Sequence, residues 1–310
     1  MELSLLLMQQ IIKLFIMIFM GYMIVKVGIL KSEDSRVFSA MVLYLIVPCV
    51  IMNAFQVEYS PEKASGLFLA FVTSLLLMLV TLPAVNLLGR LLKLNEVERM
   101  SVYFSNAGNL IIPLVTFILG EEWVLYACVY MSIQIVFFWT HCKKELSREK
   151  RIDLKKIFTN INIIVVMIAV ILFFMNIHLP KLLTETFESV SGMVGPASMF
   201  VIGMLMAGAD LKKIFTNQRA YLVTGLRLIA VPVFSLLILK ISRLVGTHAE
   251  GRQILLIVFL AVTTPAASTV TQMSQIYGND SEYASAIGVM TTLAAVLTMP
   301  LMVLLFQLVI

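Results

Sequence analysis

The sequence predicts an all-α polytopic membrane protein of about ten transmembrane helices, arranged as two inverted five-helix repeats. Three observations predict it. The chain of 310 residues is 60% hydrophobic and only 13% charged, against about 45–50% and 25% in soluble domains. Its Lys and Arg alternate in density from loop to loop. Its prolines recur at matching places in the two halves.

The apolar excess comes in runs. Crossing the hydrocarbon core takes about 20 mainly apolar residues. Ten such segments are predicted near 5–27, 37–55, 65–89, 100–119, 123–142, 158–177, 190–209, 219–242, 253–276 and 284–308. Glu2 stands where a secretory leader would carry basic residues, and no small-residue cleavage site follows, so the first run is taken as a span. No loop is long enough for a sizeable soluble domain.

The basic residues set the orientation. Sixteen Lys and Arg fall in the odd-numbered loops and five in the even-numbered ones, which places the odd loops in the cytoplasm and both termini outside. The net charge of +5 is therefore a membrane-topology signal, not a nucleic-acid one. The run Lys143–Lys156 is the longest hydrophilic stretch and divides the chain into a first five-helix repeat (1–142), a cytoplasmic linker (143–157) and a second repeat (158–310). A contact with anionic membrane lipid is a second use for that run.

Pro48, Pro83 and Pro113 lie in spans two, three and four, and Pro196, Pro232 and Pro265 in spans seven, eight and nine. Each half holds an odd number of spans, so the second half enters the membrane inverted. Inverted repeats are common in secondary transporters.

Spans four and nine carry the most chemistry. Span four reads Ser105-Asn106-Ala107-Gly108-Asn109-Leu110-Ile111-Ile112-Pro113, and span nine Thr263-Thr264-Pro265-Ala266-Ala267-Ser268-Thr269-Val270-Thr271-Gln272. Proline lacks an N–H and clashes with the carbonyl four residues earlier, so Pro113 would free the carbonyl of Asn109 and Pro265 that of Ala261. Freed backbone groups survive at membrane depth only where protein, water or solute satisfies them. Half-helix N-termini suit anions and freed carbonyls suit cations. The site residues expected from this pattern are Asn106, Asn109, Pro113, Thr264, Pro265, Ser268, Thr269 and Gln272. A proline kink with polar side chains joining helices is the plainer reading of either span alone.

Asn53, Gln134 and Arg227 are further candidates. Asn53 reaches the same cavity or ends its helix. Gln134 sits inside an apolar run and should face protein. Arg227 either snorkels to the cytoplasmic surface or holds a carboxylate or structural partner; Lys13 lies near a span end and reads as snorkelling. No Asp or Glu falls mid-span, which disfavours a deep titrating carboxylate. Asp210 lies at a span end. Cys49, Cys128 and Cys142 read as packing residues. The histidines have no metal-ligand spacing, and no catalytic pair appears at bilayer depth, so an enzyme is not expected.

The ordered set Asn106-x-Gly108-Asn109-x-x-x-Pro113 with Gly120, Gly195-Pro196-x-x-x-Phe200-x-x-Gly203-Met204, Thr264-Pro265 through Tyr277-Gly278-x-Asp280 to Ala284-Ser285, and Thr298-Met299-Pro300-Leu301 resembles the auxin efflux carrier family. The resemblance covers essentially the whole chain. It implies a fold of the bile-acid-symporter and NhaA-like type, with broken helices four and nine crossing around the substrate. It also implies a scaffold of spans one, two, six and seven that often dimerises, hence a homodimer. Bacterial members are linked to organic acids such as malate or malonate, and PIN-type plant members carry auxin, also a carboxylate. The chain lacks the long central loop of the plant carriers, so the resemblance points to a short form in a bacterial cytoplasmic membrane. A small organic anion is the implied cargo, Na+ or H+ the implied coupling ion, and no cofactor is implied. A bile-acid-like amphipathic cargo, a receptor and a channel are the alternatives.

Overall fold

The computed structural model describes residues 2–147, 155, 158–208 and 216–310, with the side chains of residues 2–11, 109 and 117 outside that description. Asp210 and most of the basic run after Ser147 therefore lie outside the described residues.

Among the described residues, twelve helical stretches of eight residues or more follow one another. They are α1 (Glu2–Lys26), α2 (Ser32–Ala54), α3 (Pro61–Leu91), α4 (Glu96–Tyr103), α5 (Ala107–Ile118), α6 (Glu121–Ser147), α7 (Ile161–Phe174), α8 (Lys181–Gly208), α9 (Gln218–Ser242), α10 (Gly251–Thr263), α11 (Ser268–Ile276) and α12 (Ser281–Val309). Among the described residues, α2, α3, α6, α8, α9 and α12 are long and apolar enough to cross a membrane. The chain is thus an all-helical, multi-pass membrane protein. Helix α7 has 14 residues, about 21 Å at 1.5 Å per residue, and is shorter than the hydrocarbon core. The predicted spans four and nine are each two shorter helices, α4/α5 and α10/α11.

Local sequence explains the irregularities. Pro48 and Pro232 each follow a π-helical turn, Val42–Ile46 in α2 and Leu226–Ala230 in α9. A wider turn accommodates the missing N–H and the ring clash with the preceding turn. Pro83, Pro113 and Pro300 are carried inside unbroken helices. Helix α6 continues through Ser147, so Lys143 and Lys144, expected to open the linker, are helical. Helix α4 starts on a reciprocal cap: Asn95 Oδ1 accepts from Glu98 N at 2.8 Å, and Glu98 Oε2 accepts from Asn95 N at 2.9 Å.

The helices pack in two groups. Helices α1, α8, α2 and α7 pack in series, and α3, α4, α6, α9, α10 and α12 form the other group; α1 also meets α12, and α2 and α7 meet α6. Helix α5 touches both groups, through α1 and the second half of α8 on one side and α6 and α10 on the other.

Candidate functional site

The two interruptions meet. After Tyr103 the backbone becomes extended at Phe104 and resumes a helix at Ala107; after Thr263 it extends at Thr264 and resumes at Ser268. The extended segments cross antiparallel, with Ser105 opposite Ala266. Asn106 N donates to Pro265 O at 2.8 Å, and Ala267 N donates to Phe104 O at 3.1 Å. Ala266 N donates to Thr291 Oγ1 on α12 at 3.1 Å. Buried backbone groups need partners, and at this crossing each segment largely supplies the other's.

Span four breaks earlier than the prolines suggested. The helix runs through Pro113, and the interruption lies at Phe104–Asn106. Pro265 lies inside its own break, so the two prolines are not at equivalent places. What holds the first break open is side-chain chemistry. Gln134 Nε2 donates to Ser105 O at 2.7 Å, and Ser105 Oγ donates to Gln134 Oε1 at 2.6 Å. Tyr130 Oη lies 3.3 Å from Ser105 Oγ. Gln134 thus spends its amide on the break. Gln134→Leu is expected to lower the thermal midpoint in detergent by the equivalent of about 1–3 kcal/mol, since it leaves Ser105 O unpaired in the interior. Gln134→Glu, which accepts but cannot donate, should fall between the two.

Arg227 does not snorkel. It is 1% exposed and lies within the π turn of α9. Its Nε donates to Thr264 O at 3.1 Å, Nη1 donates to Val102 O at 3.0 Å and Tyr103 O at 3.2 Å, and Nη2 donates to Val262 O. These carbonyls end α4 and α10. A helix C-terminus carries a partial negative charge of roughly half a unit, so one guanidinium meets two such ends. The planar five-donor fork of Arg suits this; a Lys ammonium does not have it. Of the two readings of Arg227, the structure gives the structural partner.

Helix α9 holds α4 at its other end too. Arg219 forks onto Glu98, with Nε to Oε1 and Nη2 to Oε2 both at 2.7 Å, and Tyr283 Oη donates to Glu98 Oε1 at 2.9 Å. Glu98 is fully buried. The Asn95-x-x-Glu98 spacing shows the cap in the sequence, but nothing local names Arg219 and Tyr283 as partners.

The helix N-termini face the opposite way. A chamber of about 180 Å³ is lined at the crossing by Asn106, Gly108, Ala267, Ser268, Thr269 and Gln272. Among the described residues, the N-cap residues Asn106 of α5 and Ala267 of α11 make no side-chain capping bond. The two N-termini, each worth roughly half a positive charge, therefore open on this space. Among the described residues, no Lys, Arg or His lines it.

The expected residues divide as follows. Asn106, Ser268, Thr269, Gln272 and Gln134 share the chamber. Thr264 is fully buried and gives its Oγ1 to Ala261 O at 2.9 Å; Pro265 faces a small apolar gap with Leu110 and Met199. Asn53 and Pro113 line a separate cavity of about 390 Å³ that shares no residue with the chamber. The side chain of Asn109 is outside the described residues. Asn162 and Ser198 also line the chamber and were not expected from the sequence, where a lone Asn near a helix start and a Ser in an apolar run carry no distinguishing signal.

A tapering path leads to the chamber. A cavity of about 430 Å³ shares Ser39, Leu43, Tyr44, Asn106, Ser268 and Gln272 with it, among others, and continues past Arg36. That cavity adjoins a mouth of about 780 Å³ edged by Glu33, Glu98, Arg219 and Asp280. On the other side Pro113 and Gly195 nearly touch, since a Cβ at Gly195 would meet Pro113 Cβ at 3.5 Å.

An all-helical multi-pass bundle whose broken helices meet at an internal chamber that is partly polar is the build of a membrane transporter. The family model described as "Membrane transport protein", the membrane transport domain of the auxin efflux carrier family, matches residues 6–152 and again 146–303. The chain belongs to this family. No curated protein matches it.

Proposed function

We propose that the chain is a secondary carrier of a small organic anion, a carboxylate of the malate or malonate kind, working by alternating access. Its site is the chamber at the crossing of α4/α5 with α10/α11. One observation carries this reading: the first turns of α5 and α11 line the chamber while Arg227 takes the carbonyls that end α4 and α10. Positive ends of broken helices at membrane depth suit a carboxylate. In the proposed architecture, residues 1–142 and 158–310 are inverted five-helix halves, and the group α1, α2, α7 and α8 is the frame against which the rest rocks. The tapering path on the side of Arg36 is the open face, and by the charge asymmetry of the loops that face is cytoplasmic.

The carbonyls that a sodium ion would use are engaged by Arg227, which favours a proton-coupled or uncoupled carrier over a sodium symporter. The test is thermal stabilisation of the purified protein by mono- and dicarboxylates, in sodium and in choline, at two pH values. Carboxylates should raise the midpoint equally in both salts, and Asn106→Ala should abolish the response while the protein stays monodisperse. Failure of every carboxylate to stabilise the wild type would overturn the reading.

A further inference from the structure

The chamber has a second wall. The chamber is also lined by Asn162, in the first turn of α7, and Ser198, in the second half of α8. Both side chains are more than nine-tenths buried, Asn162 at 8% and Ser198 at 1% exposed. Asn162 Oδ1 and Ser198 Oγ have no hydrogen-bond partner in the protein. The Asn162 backbone is already satisfied, because its N–H donates to Asn160 Oδ1 at 3.0 Å. A buried polar atom without a partner is costly, and two of them on one chamber wall point to a group that arrives with the cargo.

We infer that Asn162 and Ser198 are specificity-determining residues, and that the cargo they select is a singly charged carboxylate bearing a hydroxyl group. Charge sets the first half of this. The two half-helix N-termini together offer roughly one positive charge, and among the described residues no Lys, Arg or His lines the chamber. One carboxylate is matched there; the second charge of a dicarboxylate dianion has no counterpart. Hydrogen bonding sets the other half. Asn162 Oδ1 only accepts, so it needs a donor from the cargo, and an ionised carboxylate has none. Ser198 Oγ both donates and accepts, so it too is satisfied by a cargo hydroxyl.

The two walls belong to different helix groups. The crossing lies with α4 and α10, whereas Asn162 and Ser198 stand on α7 and α8. A cargo that bonds to both closes the chamber only when its hydroxyl is present, so selection acts on the closed, transported form. The inference rests on the carrier reading above, and its test separates the two.

Affinities of the purified protein are measured for glycolate against acetate and for lactate against propionate, with malonate at a pH above and a pH near its second ionisation. Each hydroxy acid should bind about tenfold or more tightly than its partner lacking the hydroxyl, the span expected when a buried polar group is left unpaired. Malonate should bind more tightly as it becomes a monoanion. Ser198→Ala and Asn162→Ala should each bring the glycolate-to-acetate ratio toward one, with monodispersity on a sizing column as the folding check. Equal affinity for the members of each pair in the wild type would overturn the inference and leave the carrier reading standing, as would a ratio preserved in both variants. Binding of none of these acids would overturn the carrier reading itself. The wild-type comparison needs no variant, so the inference stays testable if either substitution fails to fold.

Discussion

Replacing Arg227 with Ala is expected to unfold the crossing and abolish carboxylate binding. The substitution leaves the carbonyls of Val102, Tyr103, Val262 and Thr264 without their donor, at a depth where water does not compensate. Each buried unsatisfied polar group costs about 1–3 kcal/mol, so the combined loss reaches a large share of the roughly 5–15 kcal/mol that stabilises a folded domain. It also returns the negative ends of α4 and α10 to the interior unneutralised. Arg227→Lys keeps the charge but offers a compact ammonium in place of the fork. It should yield a folded protein with a lowered midpoint and weakened carboxylate response. The measurement is thermal unfolding followed by tryptophan emission, with Trp139 on the chamber wall as reporter. An Ala variant melting with the wild type would show that these bonds do not hold the crossing.

The contrast between Arg227 and Pro113 shows what was legible. Apolar runs, and a polar centre in the predicted spans four and nine, follow from local composition, and the bilayer makes such patterns hard to mistake. The position of the break in span four did not. Proline removes one hydrogen bond, and α5 absorbs that loss seven residues into the helix, as α3 and α12 absorb theirs. The break sits instead where Gln134, from the next helix, offers Ser105 a better pair of bonds than the helix would. That preference is a tertiary fact, with no trace in the spacing around Ser105. The same holds for Arg227. Its type and depth marked it as unusual, but its partners are backbone carbonyls, which no sequence distinguishes. Asn162 and Ser198 carried no signal in the sequence for a related reason: a buried polar side chain stands out only when its neighbours leave it unpaired, and the rest of the chamber lining comes from other helices. Asn106, Ser268, Thr269 and Gln272 could be grouped from the sequence because they sit beside the breaks in the chain, and they line one chamber.

Gly203→Leu is the other change expected to have a large effect, and it acts on the frame. Helices α1 and α8 approach so closely that a Cβ at Gly203 would overlap the carbonyl oxygen of Ile18 and press on Tyr22 N, and one at Gly21 would overlap the backbone of Phe200. The atoms in the way are backbone, so no rotamer change relieves them. Overpacking a fitted interior commonly costs about 1–3 kcal/mol, and here the two helices must separate along their contact. Small residues that let backbones touch are a principal source of helix association in lipid. Because α8 also carries Ser198 and Gly195, parting it from α1 moves one wall of the chamber and its contact with Pro113. The expected result is a low yield of monodisperse protein for Gly203→Leu, with Gly203→Ala and Gly21→Ala intermediate. Gly288 of α12 serves as the contrast, since a Cβ there meets nothing within 4 Å. Gly288→Ala should keep or slightly raise the midpoint, by up to about 1 kcal/mol from helix propensity. Equal yields and midpoints for the substitutions at Gly203 and Gly288 would mean that α1 and α8 are free to part, and that the wall bearing Ser198 is not fixed by this contact.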